Sequence, residues 1–339
     1  MPRLWSKNHN KKRLQNKLFS IRQQMPNMQK LSLFLILIIL FGCNESFTTK
    51  PFFSMGTLVE ITVSEKDKTE IENIKSEIER LSEFVKEETN KINVAGKNEK
   101  VVVDKRFIAL LKKGGYFHDI SQGRFDITIH TIMKLYGFPE GPYKVPSRST
   151  LDQFSSYIGF ENLIINENFV IKKSDFTIDM GAYAKGWIVD EAINFMKSRS
   201  IKNGIVNAGG DLYCLGDKNG DGWKIGIQHP DDKEKVISVL KLVNKAVVTS
   251  GDYERFFIEN GKKYIHIFDA KKKETADNYK SISVIADSVE MADGLSTVYF
   301  LLNPQEIRSL CDKLKTPVLI YHLNGNIEKL CGWEKFEVN

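Results

Sequence analysis

Cysteine is scarce here: four in 339 residues, with no CxxC pair and no Cys/His spacing that would hold zinc. That excludes a disulfide framework, and Cys214, Cys311 and Cys331 read as buried packing residues. Long apolar runs are missing too. The longest, LSLFLILIILFG at residues 31–42, is well short of the roughly 20 residues that a spanning helix needs. Acidic residues are absent from residues 1–43, which hold eight Lys or Arg, so the rest of the chain sets 41 basic residues against 43 acidic ones. The formal charge of +6 therefore belongs to the N-terminal segment, and a basic nucleic-acid surface is excluded. No repeat or low-complexity tract follows, and the 42% hydrophobic content is enough for one large or two modest globular domains.

The first 43 residues read as an export signal: a basic region, the short apolar run, then Cys43. LFGC, residues 40–43, resembles a bacterial lipobox, which implies that Cys43 is lipidated and becomes the first mature residue. On this reading residues 44–50 are a tether, residues 51–335 are the folded domain, and the domain faces the periplasm from a lipid anchor in the cell envelope.

Patterning beyond the tether predicts mixed elements. Residues 51–63 alternate as a strand with a Met-Gly turn inside it. Ile71, Ile74, Ile78, Leu81 and Val85 keep helical spacing on one face of residues 66–90. Further helices are expected at 105–121, at 125–138 from about Asp126, over 149–160, and from 177–192 onward after a strand-like start. Residues 162–173 read as a hairpin about Asn166-Glu167. Strands dominate residues 204–286, before helices at 288–302 and 304–314 and a strand at 317–323. Antiparallel runs with segregated helices argue for an α+β fold.

Several short stretches carry polar residues of interest. TIDMGAYAKGWIVDEA (177–192) puts Lys185 among small residues where a helix begins, which fits an anion site or a tight corner. Gly209 and Gly210 before Asp211 suit a close ligand approach or a β-bulge. DKNGDG (217–222) matches half a calcium loop, but its twelfth position is Gln228, so it reads as a polar turn. Ser250 and Arg255 could bind phosphate or cap a turn. Asp293 and Thr297, four apart on an apolar helix, present two oxygens on one face, suited to Mg2+ or to satisfying the helix itself.

Taken in order, SMGT, FDITIHTIMKLYGF, IDMGAYAKGWIVDEA, VNAGGD, WKIGIQHP, VVTSGDYER, IHIFD and MADGLSTVYFLL resemble the ApbE family of FAD:protein FMN transferases over about residues 51–332. The resemblance implies a T-fold-like α+β architecture of mostly antiparallel sheets with packed helices. It implies Mg2+-dependent transfer of FMN from FAD to a Thr or Ser hydroxyl, with AMP leaving. It also implies acceptors among exported flavin-bearing subunits of Rnf-type or sodium-pumping NADH:quinone reductase complexes. By motif, Met55, Arg124, Phe125, Asp126, Asp179, Lys185, His266 and Ile267 would contact FAD, alongside Ser250 and Arg255. The Ala182 carbonyl, Asp293 and Thr297 would hold the metal. His266 and Asp269 are the candidates for accepting the hydroxyl proton. An FAD pyrophosphatase and a non-catalytic flavin-binding lipoprotein are the competing readings.

Overall fold

The computed structural model describes residues 45–338, so the export signal and Cys43 lie outside the described residues. Its strands are β1 (Phe47–Ser54), β2 (Thr57–Ser64), β3 (Lys100–Val102), β4 (Leu163–Ile165), β5 (Phe169–Lys172), β6 (Gly204–Ala208), β7 (Asp211–Leu215), β8 (Trp223–His229) and β9 (Asp232–Leu242). They continue as β10 (Lys245–Gly251), β11 (Phe256–Glu259), β12 (Lys262–Ile265), β13 (Phe268–Asp269), β14 (Glu274–Thr275), β15 (Tyr279–Ala286), β16 (Val318–His322) and β17 (Ile327–Leu330). The helices are α1 (Ile71–Val94), α2 (Lys105–Ile120), α3 (His130–Leu135), α4 (Arg148–Ser155), α5 (Ala184–Ser198), α6 (Val289–Leu301) and α7 (Pro304–Leu314). None of the described helices is long and apolar enough to cross a membrane.

An eight-stranded sheet ordered β1-β2-β6-β7-β10-β15-β16-β17 organises the chain, and every neighbouring pair in it is antiparallel. The fold is α+β, as the patterning predicts. Both faces of the sheet are covered, which is why its central strands read as nearly continuous apolar runs. On β7, Tyr213 and Leu215 join the larger core under the helices, while Leu212 and Cys214 join a second core with Trp223, Leu240 and Trp333. The β8–β9 hairpin supplies that second cover. α1 lays its predicted apolar stripe on α5, and α6 packs on α5, β10 and β15.

Local expectations fail in four places. The strand ladder begins at Phe47, whose ring meets Trp223 at 4.9 Å, so most of the expected tether is sheet edge; at the other end Val338 N–H donates to Val239 O at 2.8 Å, beyond the expected limit at 335. Residues 125–138 form a single 3-10 turn and the six-residue α3 instead of one long helix. The stretch before α5 is extended but belongs to no sheet: side chains hold it, with Asn93 Oδ1 accepting from Ile178 N–H at 2.7 Å and Thr131 Oγ1 accepting from Thr177 N–H at 3.0 Å. Finally, Cys311 on α7 and Cys331 after β17 form a disulfide with a Cα–Cα distance of 6.1 Å, although their sequence spacing announces nothing. Cys214 alone fits the packing role, its thiol pushed up to about 12 by burial.

Candidate active site

A cleft of about 980 Å³ opens where α5, α6 and the ends of the main-sheet strands converge. Its chemistry starts with a close helix crossing. A Cβ on Gly186 would lie 2.6 Å from Val289 O and 2.8 Å from Glu290 N, so only glycine lets α5 and α6 approach this far. Gly186 N–H donates to Asp293 Oδ2 at 2.9 Å. The expected anion site at this helix start is therefore partly spent on a carboxylate of the protein itself. Asp190, one turn further along α5, accepts from Val289 N–H and Glu290 N–H, each at 2.8 Å, and so caps α6 from its neighbour.

Around this crossing the charges are buried. Lys185 Nζ stands 2.9 Å from Asp211 Oδ2 as a buried ion pair. Burial, and then the Asp211 charge, holds the Asp293 carboxyl well above the ordinary carboxylate range; burial raises Asp211 as well. Burial works against the Lys185 charge, yet Asp211, Asp293 and Glu254 keep its pKa above the ordinary value. A buried acid pair, beside the Thr297 hydroxyl and the Ala182 segment on the same cleft, is a set of hard oxygen donors that fits a cation such as Mg2+. Asp211 was not among the residues expected here. The only signal for it was its place after Gly209-Gly210, at the head of a strand whose other residues are all buried.

The cleft gathers most of the other candidates. Met55 and Gly56, at φ 52° and 70°, make the tight turn between β1 and β2, and Arg255 Nη2 would lie 3.1 Å from a Cβ on Gly56. Ser250 Oγ meets Ser296 Oγ at 2.7 Å, and Ser296 in turn donates to Asp293 O, which ties β10 to α6. Phe125, Asp179 and Ile267 line the walls. Asp126 reaches the cleft edge, but its carboxylate already accepts from Thr128 N–H, Thr128 Oγ–H and Phe160 N–H.

Two candidates are elsewhere. Arg124 pairs with Glu306 at 3.1 Å, and its side chain is not on the cleft wall. Asp269 is buried, with Oδ1 accepting from Lys271 N–H at 2.9 Å and Lys272 N–H at 3.1 Å, so it builds the β13–β14 turn, and its side chain does not line the cleft. His266 remains. Its Nδ1 lies 3.3 Å from Arg255 O, and its Nε2 is 4.0 Å from Glu254 Oε2. Both side chains keep about a third of their surface, 28% and 37%, but that surface faces the confined cleft, where charge is poorly solvated. Burial lowers His266 to about 4 and raises Glu254 to about 7. Glu254, inside the TSGDYER stretch, is the second charged residue of the cleft that sequence reasoning did not single out.

Comparison with known proteins places this geometry. Residues 55–320 match the sequence model of the ApbE family. The chain is 27% identical over 302 residues to the FAD:protein FMN transferase of Vibrio cholerae, covering 84% of this chain and 90% of that one. With the FAD:protein FMN transferase of Haemophilus influenzae the identity is 29% over 283 residues, covering 78% and 82%. Among solved structures it is similar to the ApbE protein of Thermotoga maritima, with a TM-score of 0.80, 29% identity and coverage of 87% and 100%. It is similar also to the flavin transferase ApbE of Vibrio cholerae, with a TM-score of 0.76, 25% identity and coverage of 86% and 99%. A family match over most of the described residues, on the same fold, means that this chain belongs to the ApbE family.

Proposed function

We propose that the protein is an FAD:protein FMN transferase: it splits FAD at the pyrophosphate, passes FMN to a Thr or Ser hydroxyl of an acceptor protein, and releases AMP. The observation that carries this reading is the Lys185–Asp211–Asp293 cluster at the α5–α6 crossing, which sets one cation and a buried acid pair inside a cleft large enough for a dinucleotide.

Each residue has a task that follows from its surroundings. Lys185, kept protonated by the acids around it, offsets phosphate charge that would repel an incoming hydroxyl. Asp293, Thr297 and the Ala182 carbonyl, with Asp211 next to Asp293, are the oxygens that would hold Mg2+. When bound, that ion would neutralise the pyrophosphate and favour departure of AMP. Met55, Phe125, Asp179, Ser250, Arg255 and Ile267 shape and orient the dinucleotide. His266 accepts the hydroxyl proton.

The acceptors we propose are exported flavin-bearing subunits of Rnf-type or sodium-pumping NADH:quinone reductase complexes. The site of action is the cell envelope, facing the periplasm, with Cys43 as lipid anchor. The Cys311–Cys331 disulfide supports an oxidising compartment. Incubation of the mature protein with FAD, Mg2+ and such an acceptor domain tests the reading. We expect in-gel flavin fluorescence on the acceptor and equimolar AMP. AMP with free FMN and no labelled acceptor would replace the transferase with a pyrophosphatase; bound FAD without AMP would leave a binding protein. Asp293→Ala is expected to abolish turnover while weakening FAD binding less.

A further inference from the structure

We propose that Glu254 is the carboxylate partner of His266, balancing the charge of the imidazole when it takes the acceptor's proton; this rests on the transferase reading above. Geometry assigns the two ring nitrogens. Arg255 O can only accept, and it already accepts the His266 backbone N–H at 3.1 Å, so Nδ1 at 3.3 Å carries its hydrogen toward that carbonyl. The lone pair is then on Nε2. Glu254 Oε2 stands 4.0 Å from it, too far to cap Nε2 with a direct hydrogen bond and close enough to stabilise an imidazolium.

The step balances without a further reagent. The hydroxyl oxygen forms a bond to the FMN phosphorus as the bond from that phosphorus to the AMP-side oxygen breaks; the hydroxyl proton passes to His266 Nε2, and AMP leaves with the electron pair. His266 alone would accept poorly at neutral pH, because burial and then Arg255 disfavour its cation. An ionised Glu254 offsets that penalty. Other charges act on the pair: Lys185 on α5, Asp211 on β7 and Arg255 on the same loop. Burial, and next the Asp211 charge, raises Glu254 to about 7, so its ionisation should govern the acid limb.

The test follows FMN transfer to the acceptor domain against pH, with FAD affinity measured separately by fluorescence quenching. In wild type, kcat/KM should rise with pH through about 7. Glu254→Gln should lower kcat by about 100-fold and remove that limb, while FAD affinity changes by less than about threefold. Glu254→Asp, which keeps the charge but retracts it, should recover about tenfold of the loss and restore the limb. Wild-type kcat in Glu254→Gln, or a loss confined to FAD affinity, overturns the proposal; so does Glu254→Asp behaving as Glu254→Gln. If Glu254→Gln does not fold, a wild-type profile with no acid limb near 7 overturns it instead. Were wild type to release free FMN and label nothing, the transferase reading would fall, and the same profile measured on FMN release would still judge the pair.

Discussion

Gly186→Ala should separate catalytic geometry from stability more sharply than any change to a charged group. The added Cβ would sit 2.6 Å from Val289 O, and contact at ordinary van der Waals distance begins near 3.4 Å, so α5 must retreat from α6 by roughly 0.8 Å. The obstacle is backbone, which cannot swing aside as a side chain can. Overpacking of this kind costs about 1–3 kcal/mol, but replacing a helical glycine by alanine returns about 1 kcal/mol of helix propensity. The net loss of stability should therefore be at most about 2 kcal/mol. The catalytic consequence is larger. Retreat stretches the Gly186 N–H to Asp293 Oδ2 bond and pulls Lys185 from its place beside the acid pair, and displacement near 1 Å at a reacting centre can cost about 100-fold. The assay pairs thermal unfolding with transfer rate over a Mg2+ titration. We expect a small fall in Tm, a 10- to 100-fold fall in kcat, and a higher Mg2+ half-saturation. Wild-type kcat and Mg2+ dependence in a folded Gly186→Ala protein would refute the idea that this crossing sets the site.

Other perturbations test other parts of the argument. Asp190 is raised to about 6 by burial, so its contribution to stability is fully present below its unfolded value near 3.8 and is lost as pH climbs through about 6. Urea unfolding at pH 4 and pH 7 should show Asp190→Asn narrowing the difference by on the order of 2 kcal/mol; an unchanged difference would absolve Asp190. Reducing Cys311–Cys331, which closes a 20-residue separation, should cost about 3 kcal/mol and lower Tm by several degrees without changing the transfer rate at 25 °C. Activity lost together with the bond would mean that it shapes the cleft. Arg124→Ala breaks the partly exposed pair with Glu306, so stability should fall by about 1 kcal/mol and FAD affinity should stay within about twofold; a tenfold loss of affinity would put Arg124 back at the ligand.

The sequence by itself determined whatever depends on neighbours a few positions apart. The stripe Ile71, Ile74, Ile78, Leu81 marks α1 because helical residues three and four apart share a face, and all four are buried. The strands of the main sheet, the turn at Met55-Gly56 and the Asn303 capping box before Pro304 are equally local. Local pattern fails where distant partners decide. His130–Leu135 is short because the chain ahead of it is tied by Asp126 to Thr128 and Phe160, and Thr177–Asp179 leaves the sheet because side chains of Asn93 and Thr131 take its backbone groups.

Site membership is a tertiary matter for the same reason. Nothing near Asp269 or Glu254 in the sequence tells that one carboxylate accepts from its own turn while the other stands beside a histidine in the cleft. Gly186 and Asp293 meet across 107 positions, and Cys311 meets Cys331 only because β16 and β17 return the chain to α7. Sequence named the blocks that carry polar residues. Burial decided which of those residues are charged, paired or left with a lone pair to use, since the cost of desolvating a carboxylate is settled only by what packs against it.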